Sequence, residues 1–350
     1  MDVLGQEPTP QETSVSSVSS TPAHSRAVPA WRKGLAQRYG VLAVWALLIL
    51  LFGILKPSEF LTLTNFETML DSQATLLLLA LGFIIPLIAG DLDLSLAGSF
   101  TVDVVLIGRL DIVHQLSYFY VFGAVLGVSA LIGVFQAFLI VKLRLNSMIV
   151  TLGTGTAYLG LASALDNTTR SGVGNGYANF MAFQFLDLQV PFWICIAMVL
   201  LLWYVYSYTP LGRRLFFVGA NRNVARLSGI NVTRLEAASL VAASIMAGIA
   251  AIVAAGYLNG TDPQLGSDLL LPMLSSALLG TTCITVGRPS PWGTFVATYF
   301  LVTGYTGLEL VGLSGWIQQV FYGGALVIAL AVSTLTGKGG GVNTMGVPQE

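Results

Sequence analysis

Charged residues are scarce in this sequence. Lys, Arg, Asp and Glu together make up 9% of the 350 residues, whereas an ordinary soluble domain carries roughly 25%. A surface that faces water cannot be built from so few charges, and 55% of the residues are hydrophobic. This composition excludes soluble all-α and doubly wound folds. It predicts an all-α polytopic membrane protein whose apolar surface faces lipid.

Residues that could react or bind a metal are equally scarce. Cys195 and Cys283 lie in apolar runs, and His24 and His114 are isolated, so no metal-binding or redox spacing exists. The sequence also lacks the GxxxxGK(S/T) phosphate loop, HExxH and GxSxG. We therefore predict a protein that is not an enzyme, with no metal and no cofactor. The net charge of −1 gives no reason to expect a nucleic-acid partner.

Long apolar runs are abundant. A helix needs about 20 apolar residues to cross a bilayer, and ten runs approach that length. They cover approximately residues 39–55, 74–90, 94–110, 118–141, 148–165, 191–208, 235–257, 269–286, 292–308 and 316–335. The third and eighth runs are interrupted by polar or small residues. The sequence thus predicts about ten transmembrane helices, some of them interrupted.

The two ends of the chain differ from this pattern. Residues 1–30 are rich in Ser, Thr, Pro and Gln, and such a segment cannot bury enough apolar area to offset its ordering entropy. No apolar core with a cleavage site precedes the first run, so no signal peptide is expected. We predict disordered tails at residues 1–30 and 337–350, on either side of a transmembrane domain at residues 31–336.

Lys and Arg fall mostly on one side of the predicted spans. With the N-terminus inside, thirteen of the sixteen basic residues are cytoplasmic, and only Lys56, Arg109 and Arg170 lie outside. Cytoplasmic loops of membrane proteins are enriched in these residues, and dropping one span would destroy the asymmetry. We therefore predict an even number of spans, with both termini and the loop 209–236 in the cytoplasm.

Two segments resemble each other weakly. Residues 78–101 and residues 274–298 each contain a helix rich in small residues, a polar or glycine interruption, and a second helix that opens on a small residue. Transporters are often built from such paired halves, with interrupted helices near the transport path. The pattern predicts a weak two-fold internal repeat.

The loop 209–236 has its own helical signals. The Asn221 side chain can accept hydrogen bonds from early backbone N–H groups and so begin a short helix, and Gly229 lies where that helix would stop. Val224 and Leu227 would share one face of it. The residues alone leave two readings open, a positive-inside loop without a partner or a short amphipathic helix lying parallel to the membrane.

Two stretches carry a resemblance to a known family. Residues 212–232 read GRRLFFVGANRNVARLSGINV and residues 88–100 read IAGDLDLSLAGSF. They resemble the cytoplasmic loop and the GGIDLSVGS-like segment of ribose-type sugar permeases in ATP-binding cassette (ABC) importers, and the likeness extends over residues 74–335. The resemblance implies a permease subunit that translocates a ribose-type or related simple sugar.

The resemblance also implies partners. A separate ABC ATPase subunit would bind ATP, an extracytoplasmic binding protein would deliver the substrate, and a second permease subunit, identical or different, would complete the pore in the bacterial inner membrane. The loop 209–236 would be the coupling loop that docks into the ATPase. Its docking residues would be Gly219, Asn221, Ala225, Arg226, Leu227, Ser228, Gly229 and Ile230.

Several polar residues lie at or near membrane depth, where a carboxylate is costly and usually functional. Asp91, Asp93, Ser95 and Asp103 are candidates for the translocation path or for a helix break. We favour a cap made by Asp93 through Ser95 over hydrogen bonds that Asp93 would accept from sugar hydroxyls. Asp103 would face the pore or pair with Arg109, although a separation of six residues suits a helix poorly.

Other functions remain open at this stage. A self-sufficient secondary transporter driven by an ion gradient would also explain the spans, the weak repeat and Asp103, but not the basic, capped loop. An ABC permease for nucleosides or branched-chain amino acids is a closer alternative. A membrane-embedded enzyme would need reactive residues at membrane depth, and the sequence offers none.

Overall fold

The computed structural model describes residues 30–285, 287–313 and 315–336. The predicted tail at residues 1–30 falls outside them except at its last position, and the predicted tail at 337–350 falls outside them entirely. The structure is 79% helical, and its strands are only two residues long. The all-α prediction is therefore confirmed for the described chain.

Fifteen helices follow one another along the described residues. They are α1 (Ala30–Leu55), α2 (Pro57–Phe60), α3 (Leu63–Ser72), α4 (Ala74–Ala89), α5 (Leu96–Ile107), α6 (Tyr118–Ala137), α7 (Ser147–Leu165), α8 (Asn175–Ala182), α9 (Val190–Tyr208), α10 (Pro210–Ala220), α11 (Arg222–Leu227), α12 (Val232–Tyr257), α13 (Leu265–Gly280), α14 (Pro291–Leu310) and α15 (Trp316–Thr336). Short π-helical turns at Gly108–Val113 and Phe138–Lys142 continue α5 and α6.

Four short strands lie in the loops. They are β1 (Arg170–Ser171), β2 (Gln184–Phe185), β3 (Leu188–Gln189) and β4 (Gly260–Thr261). β1 pairs antiparallel with β4, so the loop after α7 is held to the loop after α12. β2 and β3 form a hairpin before α9.

Several helices are suited to crossing a bilayer. Four are long and apolar enough by themselves: Tyr118–Lys142, Ser147–Leu165, Val190–Tyr208 and Val232–Tyr257. α3 and α4, bent by 42° at their junction, pass together as a fifth. Each of the ten predicted apolar runs overlaps a helix, but several are shorter than a full span. The described residues thus establish a polytopic membrane protein and do not establish the count of ten spans.

Two helices form the centre of the bundle. α4 is apolar on all sides, and Leu87 is its only residue that is not buried, as expected for a helix enclosed by others. α12 packs against α4, α5 and α6 through small residues at four-residue spacing, since Ala243, Ala247 and Ala251 are all fully buried. Small side chains let helix backbones approach closely, which is the main source of helix association in lipid.

The chain breaks between α4 and α5. Gly90 ends α4 with a φ of +89°, a left-handed conformation that glycine adopts without a steric penalty. Residues 91–93 are non-helical, and α5 begins at Leu96. The same order recurs later in the chain, where α13 is followed by residues 281–285 and 287–290, which are non-helical, and then by α14. The internal repeat itself stays a prediction.

Two groups of polar contacts join distant segments of the chain. In one group, Asp71 accepts a hydrogen bond from the Gln189 backbone N–H at 3.1 Å, and Asp111 accepts one from the Gly174 N–H at 2.7 Å. These carboxylates fasten the segment between α7 and α9 to the bundle. The other group joins the break after α4 to α10, α11 and α12, and it contains the candidate site.

Candidate functional site

Backbone and side-chain caps define the short helix α11. The Asn221 Oδ1 accepts hydrogen bonds from the backbone N–H groups of Asn223 (3.0 Å) and Val224 (3.1 Å), which satisfies two donors that a helix start leaves open. At the other end, the Ile230 N–H donates to the Ala225 carbonyl at 3.1 Å, and Gly229 has a φ of +79°. A glycine-terminated helix end of this kind fixes the direction in which the chain leaves α11.

Only one residue of α11 is buried. Ala225 is fully enclosed and packs with Val218 and Val232 in a small apolar cluster. By contrast, Val224 is 44% exposed and Leu227 is 89% exposed. An apolar side chain held almost wholly clear of the protein, on a helix with caps at both ends, marks a surface that a partner could cover.

The loop rests against the end of α4. A Cβ built on Gly219 would overlap the Ile88 carbonyl, and a Cβ built on Gly90 would be in ordinary van der Waals contact with the Gly219 Cα at 3.6 Å. Gly219 therefore permits a close approach of backbone to backbone, because a side chain there would collide with the Ile88 carbonyl. This contact brings the end of α10 directly beside the break after α4.

A charged cluster lies next to this contact. The Arg222 Nη2 lies 2.8 Å from the Asp91 Oδ1, and the Arg222 Nε lies 2.9 Å from the Glu236 Oε1. The Glu236 Oε1 has no hydrogen bond of acceptable angle, so its attraction to Arg222 is that of an ion pair without a well-aligned hydrogen bond. Asp91 is 3% exposed and Arg222 is 43% exposed. Burial would lower the pKa of Arg222, but the Asp91 and Glu236 carboxylates outweigh it and raise that pKa.

Sequence reasoning missed this cluster. It placed Asp91 in the translocation path or at a helix break, and it left Arg222 and Glu236 out of the candidate site. The only local signal is a cation in the first turn of a helix, where the positive end of the helix dipole disfavours it. Arg222 is the first residue of α11, so a strong external partner was to be expected there.

Asp93 closes the turn that begins α5. Its Oδ1 accepts hydrogen bonds from the Ser95 N–H at 3.0 Å and the Ser95 Oγ at 2.6 Å, and both residues are fully buried. The Thr151 Oγ1 of α7 accepts from the Leu94 N–H at 3.0 Å, which ties the break to a second helix. In the structure these side chains serve the helix break.

Asp103 has a different partner from the predicted one. The Ser129 Oγ of α6 lies 2.8 Å from the Asp103 Oδ2, whereas Arg109 donates to the Leu165 carbonyl at 2.6 Å. The Asp103–Arg109 pair, the alternative to a pore-facing Asp103, is therefore wrong, because side chains six residues apart point to different sides of a helix. Asp103 is fully buried between α5 and α6.

No metal centre is evident in the described part of the chain, since no group of three His, Cys, Asp or Glu residues lies close enough to hold an ion. The free cysteines Cys195 and Cys283 are both buried.

Known proteins resemble this chain over most of its length. Residues 65–330 match the model of a family described as branched-chain amino acid transport system / permease component. The D-allose transport system permease protein AlsC of Escherichia coli (strain K12) is 25% identical over 308 residues, which cover 86% of this chain and 93% of the relative. No solved structure matches the chain.

Two further relatives have a slightly higher sequence identity to this chain. The ribose import permease protein RbsC of Bacillus subtilis (strain 168) is 29% identical over 303 residues, 85% of this chain and 92% of the relative. The autoinducer 2 import system permease protein LsrD of Photorhabdus temperata is 29% identical over 312 residues, also 85% of this chain and 92% of the relative.

Proposed function

We propose, from the premise that this chain belongs to the branched-chain amino acid transport system / permease component family, that it is the membrane-spanning permease subunit of an ABC importer for a simple sugar. The observation that carries this proposal is the likeness to permeases named for D-allose, ribose and autoinducer 2, which extends over more than nine-tenths of each relative. The family consists of transport components and not of enzymes. The chain therefore acts by forming a path for the sugar across the membrane.

The proposed topology has ten spans with both termini in the cytoplasm of a bacterial cell. It is supported by the two groups of polar contacts. Asp71, Asp111 and the β1–β4 pair join loops that the basic-residue asymmetry puts outside. Asp91 and Arg222 join segments that the same asymmetry puts inside. A chain with one crossing fewer between residues 71 and 261 would mix these two sets of loops.

The proposed docking surface for the ABC ATPase is α11 with its flanking residues. Leu227 is the apolar anchor of this surface. It is 89% exposed, and burying such a side chain in a pocket of the partner contributes most to the binding free energy. Arg226 is exposed on the same helix and offers a planar donor fork for a carboxylate or for carbonyl groups. Gly219, Asn221, Ala225, Ser228, Gly229 and Ile230 shape this helix and the turn that follows it.

The remaining proposed partners follow from the same family. A second permease subunit, identical or different, would complete the path, and an extracytoplasmic binding protein would deliver the sugar to the end of the bundle that carries Asp71 and Asp111. ATP would be bound only by the ATPase, since the sequence has no phosphate loop. A secondary transporter needs none of these partners, and family membership argues against that reading.

The test is uptake in cells that lack their own sugar importers. The chain is expressed with an ABC ATPase and a binding protein from the same organism, and uptake of labelled D-ribose, D-allose and L-leucine is measured. We expect one of the two sugars to accumulate only when all three components are present. Accumulation of leucine alone would favour an amino-acid permease, and uptake that persists without the ATPase but stops with an ionophore would favour a secondary transporter.

A further inference from the structure

We propose that the charged cluster of Asp91, Arg222 and Glu236 is a positioning element that carries a displacement of α11 to the α4–α5 break and to α12. This inference rests on the proposed function, because it assigns a route for the movement that ATPase docking would start. It concerns residues that touch neither ATP nor the sugar.

The cluster joins three separate parts of the chain through one side chain. Asp91 belongs to the linker after α4, Arg222 is the first residue of α11, and Glu236 lies in the second turn of α12. A single guanidinium contacts both carboxylates, at 2.8 Å and 2.9 Å. Because its donors form a rigid planar fork, Arg222 cannot move without changing the position or the pairing of both acids.

The two carboxylates depend on Arg222 as their positively charged partner. Asp91 is 3% exposed and Glu236 is 8% exposed, so water cannot replace the guanidinium around them. A buried charge that loses its partner carries a large desolvation penalty. When α11 shifts, the carboxylates are therefore driven to follow Arg222.

Each end of the cluster leads to a different part of the bundle. Asp91 lies two residues before Asp93, whose carboxylate closes the turn that starts α5. Glu236 is part of α12, the helix that packs against α4, α5 and α6. A displacement at Arg222 thus reaches α5 through a short stretch of backbone and reaches the centre of the bundle directly.

Of the segments that the charged cluster joins, α11 is the one that can move when a partner binds. Ala225 is its only buried residue, whereas α4 is buried along almost its whole length. Arg222 is 43% exposed, on the helix that carries the exposed Leu227. The cluster therefore lies between a surface available to a partner and helices enclosed by the rest of the protein, which is the location a transmitting contact requires.

The experiment uses the complete complex of permease, ATPase and binding protein in proteoliposomes. Asp91→Asn, Arg222→Gln and the double variant are compared with Arg213→Gln, an exposed arginine of α10 that makes no ion pair with the described residues. Three quantities are measured: ATPase retained on the purified permease, ATP hydrolysis with and without binding protein loaded with D-ribose or D-allose, and uptake of the same sugar.

We expect both single variants to retain the ATPase while stimulation of hydrolysis by the loaded binding protein, and uptake, fall about tenfold, within the usual range for coupling between sites. The double variant should lose no more than the worse single variant, because residues that act as one unit are non-additive. Arg213→Gln should match the parent, and Arg222→Lys should recover part of the stimulation.

Three results would overturn the inference. Stimulation equal to that of Arg213→Gln would show that the cluster transmits nothing. Loss of the bound ATPase in Arg222→Gln alone would make Arg222 a docking residue. Failure of every variant to insert, including the double variant without the Asp91–Arg222 charges, would make the cluster purely structural. The unaltered chain is measured first. If it did not retain the ATPase, the proposed function would be wrong, and this result would be distinct from any effect of the variants.

Discussion

Arg222 lies 2.8 Å from Asp91, although one begins a short helix of the loop 209–236 and the other follows α4. Their contact means that the break in the membrane domain and the loop proposed to meet the ATPase form one structural unit. Gly219, packed on the Ile88 carbonyl, is the second contact of that unit. The consequences can be tested at single residues.

The first prediction concerns the close approach at Gly219. Replacing it with alanine places a Cβ where the Ile88 carbonyl lies, so the end of α10 must move away from α4. We expect Gly219→Ala to insert into the membrane but to reduce uptake about tenfold, since a shift of about 1 Å far from a functional centre can be that costly. The matched control is Gly153→Ala in α7, where a Cβ meets nothing within 4 Å. Equal uptake by the two variants would contradict the prediction.

The second prediction concerns the apolar anchor of α11. Leu227→Asp changes a side chain that is 89% exposed, so the fold and the membrane level should be unaffected. We expect the ATPase to be lost from the purified permease, because a carboxylate in an apolar pocket is costly. Asn223→Asp introduces the same charge on the same helix outside the proposed docking set and should retain the ATPase. Retention by both variants would mean that Leu227 faces no partner.

The third prediction separates the two readings of Asp93. If its carboxylate serves as the cap at the start of α5, Asp93→Asn keeps an acceptor oxygen for Ser95 and should transport nearly normally. Asp93→Ala removes the acceptor and should cost about 1 kcal/mol, which lowers the melting temperature in detergent by roughly 2 °C. Equal loss of uptake in both variants, with unchanged melting, would favour contact between the charge and the sugar.

Much of this architecture could be predicted from the sequence because its signals are local. Composition indicated the helical membrane fold, and the family resemblance carried by residues 88–100 and 212–232 is confirmed by the comparisons. Asn221 and Gly229 predicted a short helix where α11 lies. Each of these features depends on neighbouring residues and on the preferences of their backbone or side chains.

The rest depends on contacts between distant segments. No local sequence pattern around Arg222 indicates that Asp91 is its partner, because α5 to α10 lie between the two residues in the sequence. The partner of Asp103 is Ser129 on another helix, and neither the pore-facing reading nor the Arg109 alternative pointed to it. The exposed position of Leu227 could not be read from helical periodicity, because periodicity groups residues on a face without saying what that face meets.

The last prediction concerns orientation in the membrane. If the basic-residue asymmetry is correct, α11 faces the cytoplasm and the loop after α7 faces outside. Cysteines introduced at Asn223 and at Asn167, both exposed in the structure, should then react with a membrane-impermeant maleimide from opposite sides. The native Cys195 and Cys283 are 0% and 1% exposed, so the parent chain should give little background and serves as the control.

In intact cells with a permeable outer membrane, we expect labelling at position 167 alone, and opening the inner membrane should add labelling at position 223. Labelling of both positions in intact cells would overturn the single crossing, by α9, that is predicted between them and, with it, the assignment of α11 to the ATPase.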